Sequence, residues 1–198
     1  MIPLPISRID EAAEMLSRAF KNDSELIHYF PDEADRDKLL PVYHLVLSYG
    51  IKYGEVYTTS TALEGVAVWL PPGETYLSIW KMIGCGAWTL PFKVPLPFLM
   101  KYINSLSNIK DSHFRNAPMP HWYLLMLGVD TEHQGKKLAS RLLKPMLERI
   151  DREHLACYLE TTEKIYVPLY EHFGFKAVES KYVPGTPVGF WAMLRDAR

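Results

Sequence analysis

"HWYLLMLGVDTEHQGKKLASRLL", residues 121–143, has the pattern of a strand, a turn and a helix in that order. The apolar run at 121–129 is typical of a β-strand that is buried on both faces. From Leu138 to Ile150 apolar residues recur every four positions, which indicates a helix that covers a sheet. Between the two, Gly135 and a pair of lysines lie where the helix dipole favours anions. The stretch therefore predicts a phosphate site at the helix start, with solvated surface lysines as the alternative.

The segments on either side of this stretch complete one α/β domain, for which we expect residues 1–198 to be a single unit with a mixed sheet. Before it, the apolar periodicity predicts a helix that ends near residues 22–24, a second helix within 33–54, and a hairpin of strands at 55–60 and 65–70. After it, the pattern predicts a strand at 155–162, a short helix at 164–174 and a closing strand pair at 175–183 and 189–195. Residues 75–117 are rich in proline and aromatic residues and show no clean period.

Composition excludes several classes of protein. A net charge of −1 over 198 residues lacks the basic excess of nucleic-acid-binding proteins. Cys85 and Cys157 are too few for a disulfide framework, and no secretory signal is expected, so we predict a cytoplasmic protein. Lysines and prolines interrupt the apolar segment at 79–100, for which we predict buried or pocket-lining helices and no membrane partner.

Four motifs together resemble the GNAT acyltransferase superfamily. The first is Gln134-Gly135-Lys136-Lys137-Leu138-Ala139, which is similar to the acetyl-CoA motif [QR]-x-x-G-x-[GA] of that family. "GVAVWLPPG" at 65–73, "YLETT" at 158–162 and "VPLYEHFGF" at 167–175 occur in the family's order. The nearest subgroup is the one that includes puromycin N-acetyltransferase. The resemblance implies a mostly antiparallel central sheet with a splayed central strand pair, flanked by helices.

By this resemblance, acetyl-CoA is the co-substrate and is held at the turn and the strand before it. The implied cofactor-binding residues are Leu127, Val129, Gln134, Gly135, Lys136, Lys137, Leu138, Ala139 and Ser140. The family usually has glycine at position 137 and often has asparagine at position 166, where this chain has Lys137 and Tyr166. These two departures put the affinity for the cofactor in question.

Two residues are predicted to be catalytic. Tyr170 matches the family tyrosine near the coenzyme sulfur, where a phenol can protonate the departing thiolate. The alternative is that Tyr170 only belongs to the buried face of its short helix. Glu160 follows a buried strand, where burial can raise the pKa of a carboxyl to a value useful for a general base. Its alternative is a carboxylate satisfied by backbone amides or a lysine.

The acceptor pocket is predicted less sharply. The family's acceptor lies between the first two helices and the central strands, so Glu25, His28 and Tyr29 are the candidate substrate-binding residues. Trp69, Trp80 and Trp88 could form an aromatic wall, and His121 is a further histidine of interest. No cluster of histidine, cysteine and carboxylate has metal-ligand spacing, so we predict no metal.

The leading hypothesis is an N-acetyltransferase that transfers the acetyl group of acetyl-CoA directly to a primary amine of a small molecule in a ternary complex. A second hypothesis is a binding module that holds an acyl-CoA or metabolite without catalysis. A third is a protein or peptide N-acetyltransferase. We expect a monomer or a homodimer.

Overall fold

The computed structural model gives the backbone of residues 1–198 and describes every side chain except those of Phe98, Lys101, Tyr102 and residues 104–109. The helices are α1 (Ile9–Phe20), α2 (Ser24–Tyr29), α3 (Glu33–Asp37), α4 (Leu40–Tyr53), α5 (Ile79–Gly84), α6 (Leu90–Lys93), α7 (Leu96–Asn116), α8 (Leu138–Arg152) and α9 (Val167–His172). The strands are β1 (Ile2–Pro3), β2 (Glu55–Thr58), β3 (Gly65–Leu70), β4 (His121–Val129), β5 (Ala156–Thr161), β6 (Lys176–Tyr182) and β7 (Gly189–Arg195).

Over the described backbone the strands form one seven-stranded sheet in the order β1-β2-β3-β4-β5-β7-β6. Every neighbouring pair is antiparallel except β4 and β5, which are parallel. The predicted hairpin at β2 and β3 and the closing pair β6 and β7 are both present. The prediction of a mixed, mostly antiparallel sheet flanked by helices is therefore confirmed.

The central strand pair separates partway along its length. β4 and β5 pair from His121 with Ala156 to Leu124 with Leu159, and the pairing then stops. β4 continues to Val129 along β3, while β5 continues along β7. The predicted splay lies between these diverging ends.

Different helices cover the two faces of the sheet. α8 packs its apolar stripe, which includes Leu142, Met146 and Ile150, onto a core that contains Leu124 and Leu159. On the opposite face, α1 packs over β3 and β4, α4 packs over β2 and β3, and α7 lies over β6 and β7. α1 approaches β4 closely at Gly128, where a β-carbon would lie 2.6 Å from Leu16 Cδ2. This approach brings the end of α1 to the splay.

The segment at 79–100 differs from its prediction. It forms α5, α6 and the start of α7, but Trp80, Trp88 and Phe92 are exposed by 79 %, 64 % and 85 %. α5 and α6 have six and four residues and pack against α4, with α6 also against α7, and the three rings lie on the exposed side of this segment. The prediction that this segment is buried or lines a pocket is wrong for these three side chains. Among the described residues, no helix combines the length and apolarity needed to cross a bilayer.

Candidate active site

The turn between β4 and α8 places free amide groups at the end of β4. Gly135 has φ +75° and Lys137 has φ +59°, and α8 begins only at Leu138. The first helical hydrogen bond runs from Arg141 N to Lys137 O at 3.2 Å. The amides of residues 138–140 therefore have no hydrogen-bond acceptor within the helix. The two lysines therefore lie in the turn before the helix. The three amides lie at the positive end of the helix dipole, an arrangement that suits an anion.

Lys137 occupies a backbone conformation that favours glycine. A side chain in the left-handed region costs about 1 kcal/mol, and such residues concentrate at functional sites. Lys137 lines the cleft described below. The structure does not bring Lys136 into that cleft, because its ammonium donates to the Glu132 carbonyl at 3.1 Å. Only one of the two lysines therefore faces the predicted phosphate site.

The splayed end of β4 directs Leu127 and Val129 towards the gap. Asp130 N donates to Glu64 O next to β3, and backbone groups alternate in direction along a strand. Gly128 therefore faces β3, whereas the amide and carbonyl groups of Leu127 and Val129 face the side that β5 has left. The Gln134 side chain donates to Val129 O at 3.2 Å, which ties the turn to this strand end.

A cleft of about 490 Å³ joins the splay to the turn. It is lined by the predicted residues Leu127, Val129, Gln134, Gly135, Lys137, Leu138, Ala139, Ser140 and Tyr170. Gly135 faces open space, since nothing lies within 4 Å of a β-carbon built there. The amides before α8 and the end of β4 therefore border the same cleft.

Tyr170 lies on α9 at the inner side of the cleft and is 7 % exposed. Its ring packs edge to face on Phe175 at 6.0 Å, which fixes the phenol against the core. Burial raises the pKa of Tyr170, with a smaller contribution from Tyr166, so the hydroxyl keeps its proton. Tyr166, at the position where the family often has asparagine, also lines the cleft.

The end of α1 and the residues after it form a wall that the sequence did not identify. Phe20, Asn22 and Asp23 line the cleft opposite the turn. Burial, together with the charges of Glu25 and Glu163, raises the pKa of Asp23 to about 6. The Asp23 side chain also accepts from Glu25 N at 2.9 Å and thereby caps α2. The polar run between two helices was the only available signal for this wall.

A second cavity of about 430 Å³ lies beside α2. Its lining includes the predicted residue His28, together with Ser24, Ile27, Thr162 and Trp191. Glu163 lines both cavities, and its carboxylate accepts from Ser24 N at 2.5 Å. The two cavities therefore meet at Glu163.

The other predicted acceptor residues lie elsewhere. The structure does not bring Glu25 or Tyr29 into either cavity lining, and Tyr29 packs against the core beneath α1 and α4. The aromatic wall of Trp69, Trp80 and Trp88 is wrong. Trp69 is fully buried in the core under α8, whereas Trp80 and Trp88 point outward from short surface helices. No common surface unites the three rings.

Glu160 lies in a buried polar environment on the sheet face opposite α8. Its side chain is 7 % exposed, and Tyr123 donates to Oε2 at 2.6 Å. Burial raises the pKa of Glu160 to about 7, although the hydroxyls of Tyr123 and Tyr158 oppose the shift. The raised pKa agrees with the reasoning that selected Glu160, and a hydroxyl rather than an amide or a lysine is its bonded partner. Glu160 does not belong to the lining of either cavity.

Comparison with known proteins agrees with this geometry. A family model described as the acetyltransferase (GNAT) domain matches residues 109–185. An uncharacterised N-acetyltransferase of Schizosaccharomyces pombe is 29 % identical over 123 residues, which are 60 % of this chain and 50 % of that protein. The chain thus spans half the length of this relative.

Two solved structures share the fold over nearly the whole chain. One is a Corynebacterium glutamicum protein described as "histone acetyltransferase HPA2 and related acetyltransferase". It superposes with a TM-score of 0.66 at 19 % identity, covering 100 % of this chain and 95 % of that one. Arylalkylamine N-acetyltransferase 2 of Aedes aegypti gives 0.64 at 16 % identity, covering 99 % and 97 %. At these identities the likeness establishes the fold alone.

Proposed function

We propose that this chain is an acetyl-CoA-dependent N-acetyltransferase of the GNAT superfamily whose acceptor is a primary amine of a small molecule. The observation that carries the proposal is one continuous cleft. In it, the free amides before α8, the exposed backbone of β4 and the phenol of Tyr170 line the same space. The puromycin N-acetyltransferase subgroup remains a resemblance of sequence motifs.

The chain's own groups account for cofactor binding. The amides of residues 138–140 and the ammonium of Lys137 would hold a pyrophosphate, which is bound best by converging donors and positive charge. Backbone groups of Leu127 and Val129 would complete their hydrogen bonds with a pantetheine amide and polarise the thioester carbonyl. Bound acetyl-CoA supplies an activated acetyl group. The fixed amides need no reorganisation during transfer.

Tyr170 is the proposed general acid. Its raised pKa keeps the phenol neutral at physiological pH, so a proton is available for the departing sulfur. Covalent transfer through cysteine is disfavoured, because burial raises the pKa of both Cys157 and Cys85 and neither forms a thiolate readily. We therefore propose direct attack by the amine in a ternary complex.

The second cavity is the proposed acceptor site. Its volume of about 430 Å³ lies in the range of small-molecule pockets, and it meets the cofactor cleft at Glu163. A carboxylate at the junction favours a cationic amine over an alcohol. The amine must then lose a proton, and Glu160, with a pKa of about 7, is the proposed base through an intervening water.

Calorimetry with coenzyme A and an acetyl-transfer assay on a panel of amines and peptides test this function. We expect binding of coenzyme A, turnover with small amines, and a decrease in kcat of roughly 10- to 100-fold in Tyr170→Phe. In the control Tyr182→Phe an exposed hydroxyl is removed from β6, and kcat should not change. Binding without turnover would select a non-catalytic acyl-CoA module, and turnover with peptides alone would select a protein acetyltransferase.

A further inference from the structure

Two buried histidines stand next to Glu160 on the sheet face opposite α8. His113 comes from α7 and is 3 % exposed, and His121 comes from the start of β4 and is 2 % exposed. The Nε2 atoms of His113 and His121 are 2.8 Å apart, and His121 Nδ1 is 2.6 Å from the Met119 carbonyl. His113 Nδ1 is 3.9 Å from Glu160 Oε1. We call His113, His121 and Glu160 the histidine–carboxyl cluster.

These contacts fix the position of each histidine proton. A carbonyl accepts only, so His121 must carry its proton on Nδ1. Burial lowers the pKa of His121, which is therefore neutral and has a lone pair on Nε2. The short contact between the two Nε2 atoms then requires His113 to carry its proton on Nε2. His113 is also neutral, because burial and the neighbouring His121 lower its pKa to about 3.

The remaining lone pair of His113, on Nδ1, faces Glu160. Oε1 of Glu160 has no hydrogen-bond partner among the described residues, whereas Oε2 accepts from Tyr123. An ionised Oε1 and a lone pair repel each other, but a protonated Oε1 can donate to Nδ1 after a closure of about 1 Å. The arrangement therefore favours the neutral acid and assigns its proton to one oxygen.

We propose that His113 is a positioning residue that accepts a hydrogen bond from Glu160 Oε1 whenever that oxygen is protonated, and that His121 fixes the tautomer in which His113 can do so. This inference rests on the proposed acetyltransferase function for its role in catalysis. The protonation pattern itself is a property of the resting protein.

Other side chains face Glu160 from the neighbouring strands. Tyr123 of β4 donates to Oε2, which favours the ionised form. The hydroxyl of Tyr158 on β5 faces the same carboxyl but has no partner within bonding geometry. β7 places Ala192, which does not titrate, in register with Glu160. The hydroxyls of Tyr123 and Tyr158 can donate to the carboxyl, whereas Nδ1 of His113 in this tautomer can only accept.

In the reaction the cluster would receive the acceptor's proton. As the amine nitrogen bonds to the acyl carbon, its N–H bond breaks and the proton passes through water to Oε1 of ionised Glu160, whose electron pair forms the new O–H bond. That O–H then donates to His113 Nδ1. The departing sulfur takes its proton from Tyr170, so protons and charge balance. His113 thereby stabilises the protonated carboxyl of Glu160 that the proton transfer produces.

Nitrogen NMR of the imidazole rings tests the tautomers directly. We expect both histidines to be neutral at pH 7, with His113 protonated at Nε2 and His121 protonated at Nδ1. A His113 that carries its proton on Nδ1, or that is charged, would overturn the inference. This measurement uses the wild-type chain, so it does not depend on whether a variant folds.

Titration of the Glu160 carboxyl tests the consequence. Carbon NMR of labelled glutamates, assigned with Glu160→Gln, should show Glu160 titrating near pH 7. In His113→Gln the amide can still contact His121 but no acceptor stands at the Nδ1 position, so the titration should move down by about one pH unit. In the matched control Tyr123→Phe a donor is lost and the titration should move up. An unchanged titration in His113→Gln contradicts the proposal.

The acid limb of kcat/KM against pH should shift in the same directions in these two variants. The outcomes separate the two proposals. Shifts of the carboxyl titration without any acetyl transfer would leave the cluster intact and reject the function. Acetyl transfer whose acid limb is unmoved in His113→Gln would leave the function intact and reject the role of His113.

Discussion

The two faces of β4 and β5 differ in chemistry although the same strands form both. Towards α8 the strands present Trp122, Leu124, Cys157 and Leu159, which are all buried in an apolar core. Towards α7 the alternate positions present His121, Tyr123, Tyr158 and Glu160, which are equally enclosed but polar. Burial is therefore not what distinguishes the faces.

The difference indicates a division of labour. An apolar buried face contributes free energy of folding through the area removed from water. A polar buried face contributes little net stability and costs much if one group loses its partner, but it can hold protons at chosen atoms. Substitutions at neighbouring positions of one strand should separate these two contributions.

The largest expected effect is on the apolar face. Leu159→Ala opens a cavity beneath α8 at a side chain that is 1 % exposed, and should lower the free energy of unfolding by roughly 4 kcal/mol. Urea unfolding measures this loss. The kcat of the folded fraction should stay near the wild-type value. A large loss of kcat with intact stability would remove the distinction between the faces.

Glu160→Gln, one residue further along β5, should have the opposite effect on stability. The folded pKa of about 7 lies above the ordinary value of 4.5, so the wild-type protein loses stability as pH rises from about 4.5 to 7. The variant has no carboxyl to ionise and should exceed the wild type by about 3 kcal/mol at pH 8, with little difference at pH 4. Unfolding curves at the two pH values provide the comparison. Equal differences at both pH values would show that Glu160 is not held neutral.

The smallest expected effect is at the turn where the two faces end. Lys137→Gly relieves the left-handed strain and should stabilise the protein by about 1 kcal/mol. The same change removes a cation from the cofactor cleft and should weaken coenzyme A binding about two- to fivefold. Lys136→Ala is the control, since Lys136 is unstrained and lies outside the cleft lining. Calorimetry with coenzyme A and thermal unfolding measure the pair.

The sequence predicted the sheet, and most residues that it assigned to the cofactor line one cleft, because the signals are local. The apolar run of β4, the glycine at position 135 and the periodic apolar stripe of α8 follow one another between residues 121 and 150. Tyr170 was predicted from the resemblance to the GNAT superfamily, and the fold brings it to the cleft because α9 follows β5.

The acceptor side was predicted poorly because it depends on distant segments. His113 meets His121 and Glu160 only after α7 folds across the sheet, and no periodicity in residues 75–117 indicated its inward face. Both Trp69 and Trp80 lie in apolar stretches of the sequence, but Trp69 belongs to the central strand β3 and Trp80 to the six-residue surface helix α5. Aromatic character alone does not predict which of them faces a ligand.

The early end of the pairing between β4 and β5 leaves an unfinished ladder in the middle of the sheet. The backbone amides of Leu127 and Val129 there exchange their protons with water until a hydrogen-bond partner replaces the missing strand. A pantetheine chain would act as a substitute strand and complete the ladder. Hydrogen–deuterium exchange at these two amides should therefore slow when coenzyme A binds, while Leu124, already paired with β5, stays protected throughout.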